Sequence, residues 1–398
     1  MDMLSAEQNE RLTGVLPGSP GGALLRRYWQ PLCAAAELTD EKPRKRVRLL
    51  GEDLVVFRTG NGQYGCLAER CSHRGVSLYY GFIEDDGIRC AYHGWKYAGS
   101  GQCLEQPFEP AGSSFKERIC QRAYPVQRLA GMLFAYLGPD PAPLLPRWDV
   151  LVRADGSRLI QVSPVLDCNW LQIQENTVDS VHTYYLHAHT LAQLGITGGE
   201  FFYRPIESYD WDVCEWGIDK TLVYGGDRPE VEIRPPLIFP NILRIPQGPR
   251  AECLHWRVPI DNTHTRVYVM VFDPAGPASQ PGSEEAVPLE YLPEVKWPDG
   301  EYDMTGELGA GSQGPDAAVA FYAQDAMAWE TQGAVFDRTV EHLGASDRGI
   351  AMFRRLLAQQ IEVVEEGGEP IALVRDPARN TIIEFDSTAQ RLEAEAGV

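Results

Sequence analysis

Hydrophobic and polar positions alternate along this chain in two rhythms, and the changes of rhythm mark its units. Residues 5–30 predict a helical segment whose Leu24, Leu25 and Tyr28-Trp29 can pack on a core. From Val47 to about Leu137 the pattern shortens to strands. Arg46-Val47-Arg48-Leu49-Leu50 and Leu54-Val55-Val56-Phe57 are rich in β-formers, and Gly60-Asn61-Gly62 and Gly99-Ser100-Gly101 supply turns. Gly131 to Gly138 brackets a further strand, and the proline-rich run Pro139 to Pro146 predicts a linker.

Beyond residue 147 strands alternate with a few helices. Asn169-Trp170 through Leu186 predicts a helix, with Asn169 as N-cap and Gln172 placed to complete a capping box. Arg234–Pro246, Leu254–Ile260 and Thr265–Phe272 predict strands; Pro274–Pro288 and Pro298–Pro315 predict loops. Ala317–Trp329 and Ile350–Val364 predict helices. In the second, Ile350, Phe353, Leu357, Ile361 and Val364 recur at a helical period, as a core or subunit-interface stripe does. Gly309-Ala310-Gly311-Ser312-Gln313-Gly314 fits G-x-G-x-x-G but follows no strand, so it reads as a loop and not a nucleotide site. The expected organisation is α+β: a helical segment at 1–40, an antiparallel β domain at 41–146 and a larger domain at 147–398.

Composition narrows the function classes. A formal charge of −20 argues against nucleic acid and anionic membranes as partners. No apolar run is long enough to cross a bilayer, and Met1 to Ser5 lacks the basic-then-apolar start of a signal peptide. Nine cysteines, an odd number irregularly spaced, fit a reducing compartment, so the cytoplasm is the expected location.

The chemistry begins with Cys71-Ser72-His73-Arg74-Gly75 and Cys90-Ala91-Tyr92-His93-Gly94-Trp95. A C-x-H pair, sixteen residues, and a C-x-x-H pair give two thiolates and two imidazoles on paired loops. Such a set can hold zinc. It can also hold a Rieske [2Fe–2S] cluster, with cysteines on one iron and histidines on the other. Zinc fingers pair like with like along the chain. Here each loop offers one of each, which suits a two-iron cluster that both loops reach. These motifs, with Arg74-Gly75 and Tyr92-His93-Gly94-Trp95, resemble the Rieske domain of ring-hydroxylating oxygenase terminal components. Ser72 stands where that family usually has proline; it removes no ligand.

A Rieske cluster only moves electrons, so a second site must use them. Asn176, Asp179 and His182 recur at three-residue steps, roughly one helix face, and a carboxylate beside a metal-binding histidine can orient its ring. D-x-x-H-x-x-x-x-H over Asp179–His187 resembles the catalytic motif of the same family. By that resemblance His182 and His187 are iron ligands, Asp179 bridges toward a Rieske cluster, and Asn176 accompanies them. On a continuous α-helix residues five apart diverge by about 140°, so His189, seven after His182, is a geometric rival to His187. Non-haem Fe(II) takes two imidazoles and one carboxylate. Phe321 to Gly333 resembles the phthalate dioxygenase branch, which makes Asp325 the third ligand, ahead of Glu330 and Asp316. His255, His264, His342 and the other cysteines lack a matching partner set and read as structural.

The resemblance implies an antiparallel β Rieske domain, then a catalytic domain with a twisted antiparallel sheet and packed helices of helix-grip, START-like form. It implies head-to-tail homotrimers in which His93 faces Asp179 of the next subunit. Electrons would come from a separate reductase, with or without a ferredoxin, since no flavin, nicotinamide or plant-type ferredoxin motif is found. The expected reaction uses O₂ on an aromatic substrate, an acid by preference, through O-demethylation, monooxygenation or ring dihydroxylation. Phe201, Phe202, Trp211, Trp216, Phe239 and Asn241 are expected to line the pocket, with Arg204 and Arg244 as carboxylate clamps. Two readings from other classes stand beside this one: an electron-transfer protein without oxygen chemistry, and a silent partner subunit. Iron per chain separates the first, near two against near three for an oxygenase; a silent subunit would normally have lost His182, His187 or Asp325.

Overall fold

The computed structural model describes residues 3–197, 203–225, 230–247, 251–277, 287–310, 317–385 and 389–391. Phe201, Phe202, Asp316 and the Gly311–Gly314 part of the glycine-rich stretch lie outside them.

Two short helices open the chain, α1 (Ala6–Thr13) and α2 (Pro20–Leu25). Ser5 and Gln8 form a reciprocal capping box on α1, and Ser19 caps α2 with Pro20 in its first turn. The expected helical segment ends there: Gln30–Ala34 is strand β1, fully buried. Its side chains point into apolar surroundings on both faces, so no alternation betrays it.

Ten strands follow: β2 (Arg44–Leu49), β3 (Glu52–Arg58), β4 (Tyr64–Ala68), β5 (Phe82–Glu84), β6 (Gly87–Arg89), β7 (Lys96–Tyr97), β8 (Cys103–Glu105), β9 (Ala123–Tyr124), β10 (Val126–Leu129) and β11 (Met132–Ala135). They form three antiparallel sheets with orders β2-β3-β4-β9, β5-β6-β7-β8 and β1-β11-β10. The first cysteine–histidine loop joins β4 to β5 and the second joins β6 to β7. The proline-rich stretch after β11 is pinned rather than free: Leu144 N–H donates to Val374 O (2.8 Å), and Trp29 Nε1 donates to Pro143 O (2.9 Å).

The second half comprises α3 (Asp149–Val152), β12 (Ser157–Leu166), α4 (Trp170–Asn176), α5 (Thr190–Gln193), β13 (Ile206–Cys214), β14 (Gly217–Tyr224), β15 (Glu230–Ile238), β16 (Ile242–Gln247), β17 (Ala251–Pro259), β18 (Thr265–Asp273), β19 (Leu289–Tyr291), α6 (Glu307–Ala310), α7 (Ala317–Glu330), α8 (Arg348–Glu365) and β20 (Ala389–Arg391). Nine strands make one sheet, β13-β14-β15-β16-β17-β18-β12-β19, with β20 on β15. Pairing is antiparallel except between β12 and β19, where the expected all-antiparallel sheet gains a parallel edge. Within Arg234–Pro246, expected as one strand region, Phe239-Pro240-Asn241 turns the chain between β15 and β16.

The two faces of this sheet do different jobs. Leu254, Trp256, Val258, Tyr268, Met270 and Phe272 meet the N-terminal segments; Trp256 lies edge-on to Phe134 (5.8 Å), and Tyr268 OH donates to Leu32 O. The alternate residues Cys253, Val267 and Val269 meet Ala323, Ala326 and Trp329 of α7. Alanines give α7 high helix propensity and let its backbone lie close to the sheet. Each large apolar side chain buried in α8, including Phe353, Leu357 and Ile361, contributes about 1.5–3 kcal/mol.

Candidate metal centres

The two cysteine–histidine loops are built alike. In each, the glycine N–H returns to the cysteine carbonyl, Gly75 to Cys71 (2.8 Å) and Gly94 to Cys90 (3.0 Å). Each then closes with a strand-like bond, Cys71 N–H to Val76 O (2.9 Å) and Cys90 N–H to Trp95 O (2.8 Å). Gly75 (φ 73°) and Gly94 (φ 74°) occupy the left-handed region, where a Cβ is strained. This geometry turns both histidines toward each other, with ring centroids 4.6 Å apart. His73 also stacks on Trp95 (4.2 Å).

Both cysteines are buried, while both histidines are half-buried. The Cys71 thiol is held down to about 5 by hydrogen bonding with Cys90, then by Tyr97 and the backbone N–H groups of His73 and Arg74, against the effect of burial. Tyr97 OH lies 3.3 Å from Cys71 Sγ and 3.1 Å from Ser72 Oγ. Gln121, which the motif did not indicate, accepts from Ser72 N–H and donates to Ala68 O and Arg70 O, pinning the first loop. Buried His93 Nδ1 has no hydrogen-bond partner. A soft thiolate pair inside and an imidazole pair outside suits a [2Fe–2S] cluster better than one tetrahedral ion.

The second site hangs on an unusual helix. After α4 the chain leaves the helical path, and Thr183–His189 forms a π-helix. Hydrogen bonding from i to i+5 brings residues five apart onto one side. That removes the geometric objection to His187: its ring centroid is 5.4 Å from that of His182. Asp325 of α7 joins them, and one ligand atom from each of the three lies within 4.8 Å of the others.

His187 Nε2 is 3.4 Å from Asp325 Oδ1, a buried oxygen with no hydrogen-bond partner. Burial works to raise the Asp325 carboxyl, but His187, His182 and Arg257 outweigh it and hold it below its ordinary value. Burial likewise disfavours charge on His187, and Asp325 and Gln324 reverse that. Two imidazoles facing an unpartnered carboxylate oxygen fit a divalent iron.

Asp179 Oδ1 accepts from Val181 N–H (3.0 Å) and His182 N–H (3.3 Å), and its Oδ2 lies 3.6 Å from His182 Nδ1, just beyond hydrogen-bond reach. Asn176 ends α4, half-buried, and its carbonyl accepts from Asp179 N–H. The rivals are engaged elsewhere. His189 Nδ1 lies 3.1 Å from Tyr203 OH. Glu330 accepts from Asp167 N–H and Tyr302 OH and pairs with Lys296 (2.7 Å).

Among the described residues, Arg244, Phe239, Asn241, Trp216 and Trp211, expected as substrate contacts, are engaged away from this site. Arg244 shares the face of Leu254, opposite the iron side, where it pairs with Asp149 and Glu252. Phe239 packs on Tyr28 and Phe353. Asn241 donates to Gln30 Oε1 and Arg257 O. Trp216 packs on Trp148, Trp211 is buried in the core, and Arg204 lies over the Tyr224 ring (4.4 Å). Two side chains that do face the triad come from β17. His255, expected to be structural, and Arg257 are both within electrostatic reach of Asp325. Burial and Arg257 push His255 down to about 3, so it is a neutral imidazole. Arg257 is 2% exposed, and its Nη1 donates to Gln174 Oε1 and Thr177 Oγ1. Two polar residues at i and i+2 in an apolar strand were the only sequence signal for this pair.

Comparison with known proteins places residues 28–125 in the Rieske [2Fe-2S] domain family and residues 314–392, which carry Asp325, in the LigXa C-terminal domain-like family. The chain is 37% identical to the 5,5'-dehydrodivanillate O-demethylase oxygenase subunit of a Sphingobium species, covering 96% of this chain and 86% of that one. It is 36% identical to the phenoxybenzoate dioxygenase subunit alpha of Ectopseudomonas oleovorans, covering 95% and 92%. Among solved structures, a Pseudomonas putida NdmA variant with caffeine aligns with a TM-score of 0.61 over 86% of this chain and 93% of that one, at 18% identity, a likeness of fold.

Proposed function

The chain belongs to the Rieske non-haem iron oxygenases as a terminal oxygenase subunit, and from that premise we propose that His182, His187 and Asp325 hold its mononuclear iron and that its substrate is a methoxylated aromatic acid, which it O-demethylates. The convergence of two imidazoles and one carboxylate within 4.8 Å, in a chain that also carries Rieske loops, is the observation that supports the reading most. When bound, the mononuclear Fe(II) supplies O₂ activation with electrons drawn through the [2Fe–2S] cluster.

The chain's own residues supply position and charge. The π-helix and the His182 that precedes it hold two ligands on one side, and α7 carries the third against the sheet. Charge bookkeeping supports an anionic substrate. A ferrous ion with Asp325 leaves one positive charge, Arg257 adds another and Asp179 beside His182 removes one, so one positive charge remains, and burial of uncompensated charge is costly. A substrate carboxylate would offset it. The O-demethylase name of a relative 37% identical over nearly the whole chain supports demethylation, and the dioxygenase name of one 36% identical makes ring dihydroxylation the alternative.

The overall step balances: one oxygen atom enters the methyl C–H bond, and the other leaves as water with two electrons from a reductase and two protons from solvent. The hemiacetal then breaks to a phenol and formaldehyde. We place Asp179 on the electron path, with His93 of a neighbouring copy beside it in a head-to-tail homotrimer, and the protein in the cytoplasm. No helix among the described residues is long and apolar enough to cross a membrane. NADH-driven turnover with a surrogate reductase and a panel of methoxylated and unmethoxylated aromatic acids tests the reading. Formaldehyde in step with phenol supports it; a cis-diol would replace demethylation with dihydroxylation.

A further inference from the structure

We infer that Gln324 is a positioning residue: it fixes the ring of His187 so that Nε2 is the nitrogen offered to iron, and it ties that ligand to the backbone at Met304. The inference rests on the reading of His182, His187 and Asp325 as iron ligands and extends it to a residue that touches neither metal nor substrate.

Gln324 precedes Asp325 in α7 and is fully buried. Its two amide atoms face different partners. Nε2 donates to Met304 O at 3.4 Å, and Oε1 lies 3.0 Å from His187 Nδ1. The reverse orientation would set oxygen against oxygen at Met304. With the amide oriented by that carbonyl, Oε1 can only accept, so His187 Nδ1 must carry the hydrogen. Nε2 is then the nitrogen turned toward Asp325 Oδ1, 3.4 Å away. An imidazole nitrogen and a carboxylate oxygen that face each other in a buried site both favour a cation between them, a proton or the ferrous ion these residues would hold.

The orienting groups are themselves fixed. Met304 N–H donates to Tyr302 O (2.9 Å), and the neighbouring Asp303 carboxylate accepts from Glu307 and Leu308 N–H at the start of α6. Phe321, one turn before Asp325, packs on the His187 ring at 4.5 Å. The turn at Met304, the Gln324 amide and the His187 ring therefore form one connected unit. Hydrogen-bond partners of metal-bound histidines typically govern ten- to a hundredfold of metal affinity.

The test uses the full chain with its Rieske cluster retained and the third iron removed, then retitrated anaerobically with Fe(II) against a chelator. Q324L, which has no acceptor, is expected to bind Fe(II) ten- to a hundredfold more weakly while the cluster's visible absorption is unchanged. Q324N, one methylene too short to reach Nδ1, is expected to match it, and keeps the test decisive if Q324L folds poorly. Q324E, which as the neutral acid keeps an acceptor on Nδ1 and a hydroxyl donor on Met304 O, is expected to return to within about threefold of wild type. Wild-type affinity in Q324L or Q324N, or a Q324E as weak as Q324L, overturns the role of Gln324 alone. A wild-type chain that takes up no third iron overturns the ligand assignment, and this inference with it.

Discussion

Glu175 offers a stability prediction that can be worked from geometry. It sits in α4, 5% exposed, one residue before Asn176. Its carboxylate receives Arg338 (2.7 and 3.0 Å) and Arg354 (2.6 Å). Arg354 has a second carboxylate, Glu341, while the remaining partners of Arg338 are neutral, Asn9 Oδ1 and Phe336 O. In Glu175→Gln the wholly buried Arg338 therefore loses its counter-ion, and breaking a buried pair from one side costs about 3–5 kcal/mol. At roughly 2–3 °C per kcal/mol for a domain of this size, the melting temperature should fall by about 6–15 °C.

The pH dependence follows by sign. Burial alone would raise the Glu175 carboxyl, but Arg338 and Arg354 hold it below its ordinary value. A depressed carboxyl contributes stability that is present above its unfolded value, about 4.3, and lost as pH falls through the lower folded value. Glu175→Gln should lack that acid-side loss. Differential scanning of wild type, Glu175→Gln and the double variant Glu175→Gln/Arg338→Met between pH 3 and 8 is the assay. The double variant, which removes both charges at similar volume, should recover most of the loss. A single variant that melts within 1 °C of wild type would refute the reasoning.

The metal-site predictions are simpler to read. Asp325→Ala and His187→Ala should each lower iron from about three to two per chain, with Rieske absorption intact, whereas His189→Ala should keep three; retained third iron in the first two variants sinks the ligand set. Asp179→Asn should keep both metals and lose turnover by at least about a hundredfold, a cost of ~2.7 kcal/mol; near-normal turnover removes Asp179 from the electron path. Tyr97→Phe removes a hydrogen bond to Cys71 Sγ, so negative charge on the reduced cluster is less stabilised and its midpoint potential should fall; an unchanged or higher value by voltammetry would show that the hydroxyl does not act on the sulfur.

The parts whose logic is local were legible in the chain alone. The Rieske loops could be read because each sets two ligands and a turn glycine within five residues, and that spacing carries the geometry. The α8 stripe could be read because one face meets the core and the other meets water. Asp325 could be named only through family resemblance, since nothing in its own segment points to His182.

Tertiary structure decided the rest. An α-helical reading of Asp179–His189 makes His189 the better-placed ligand; the π-helix, a rare backbone state without a strong residue signature, reverses that. Strand parity decided the substrate side. β16 and β17 bury apolar residues on both faces, so no polar alternation tells which of two neighbouring residues points at the iron. That ambiguity is why Arg244, on the opposite face, was expected at a site toward which His255 and Arg257 point instead. Gln324 was hidden for a related reason: the partners that give it a role, His187 and Met304, meet it only once the π-helix, α7 and the turn before α6 have packed together.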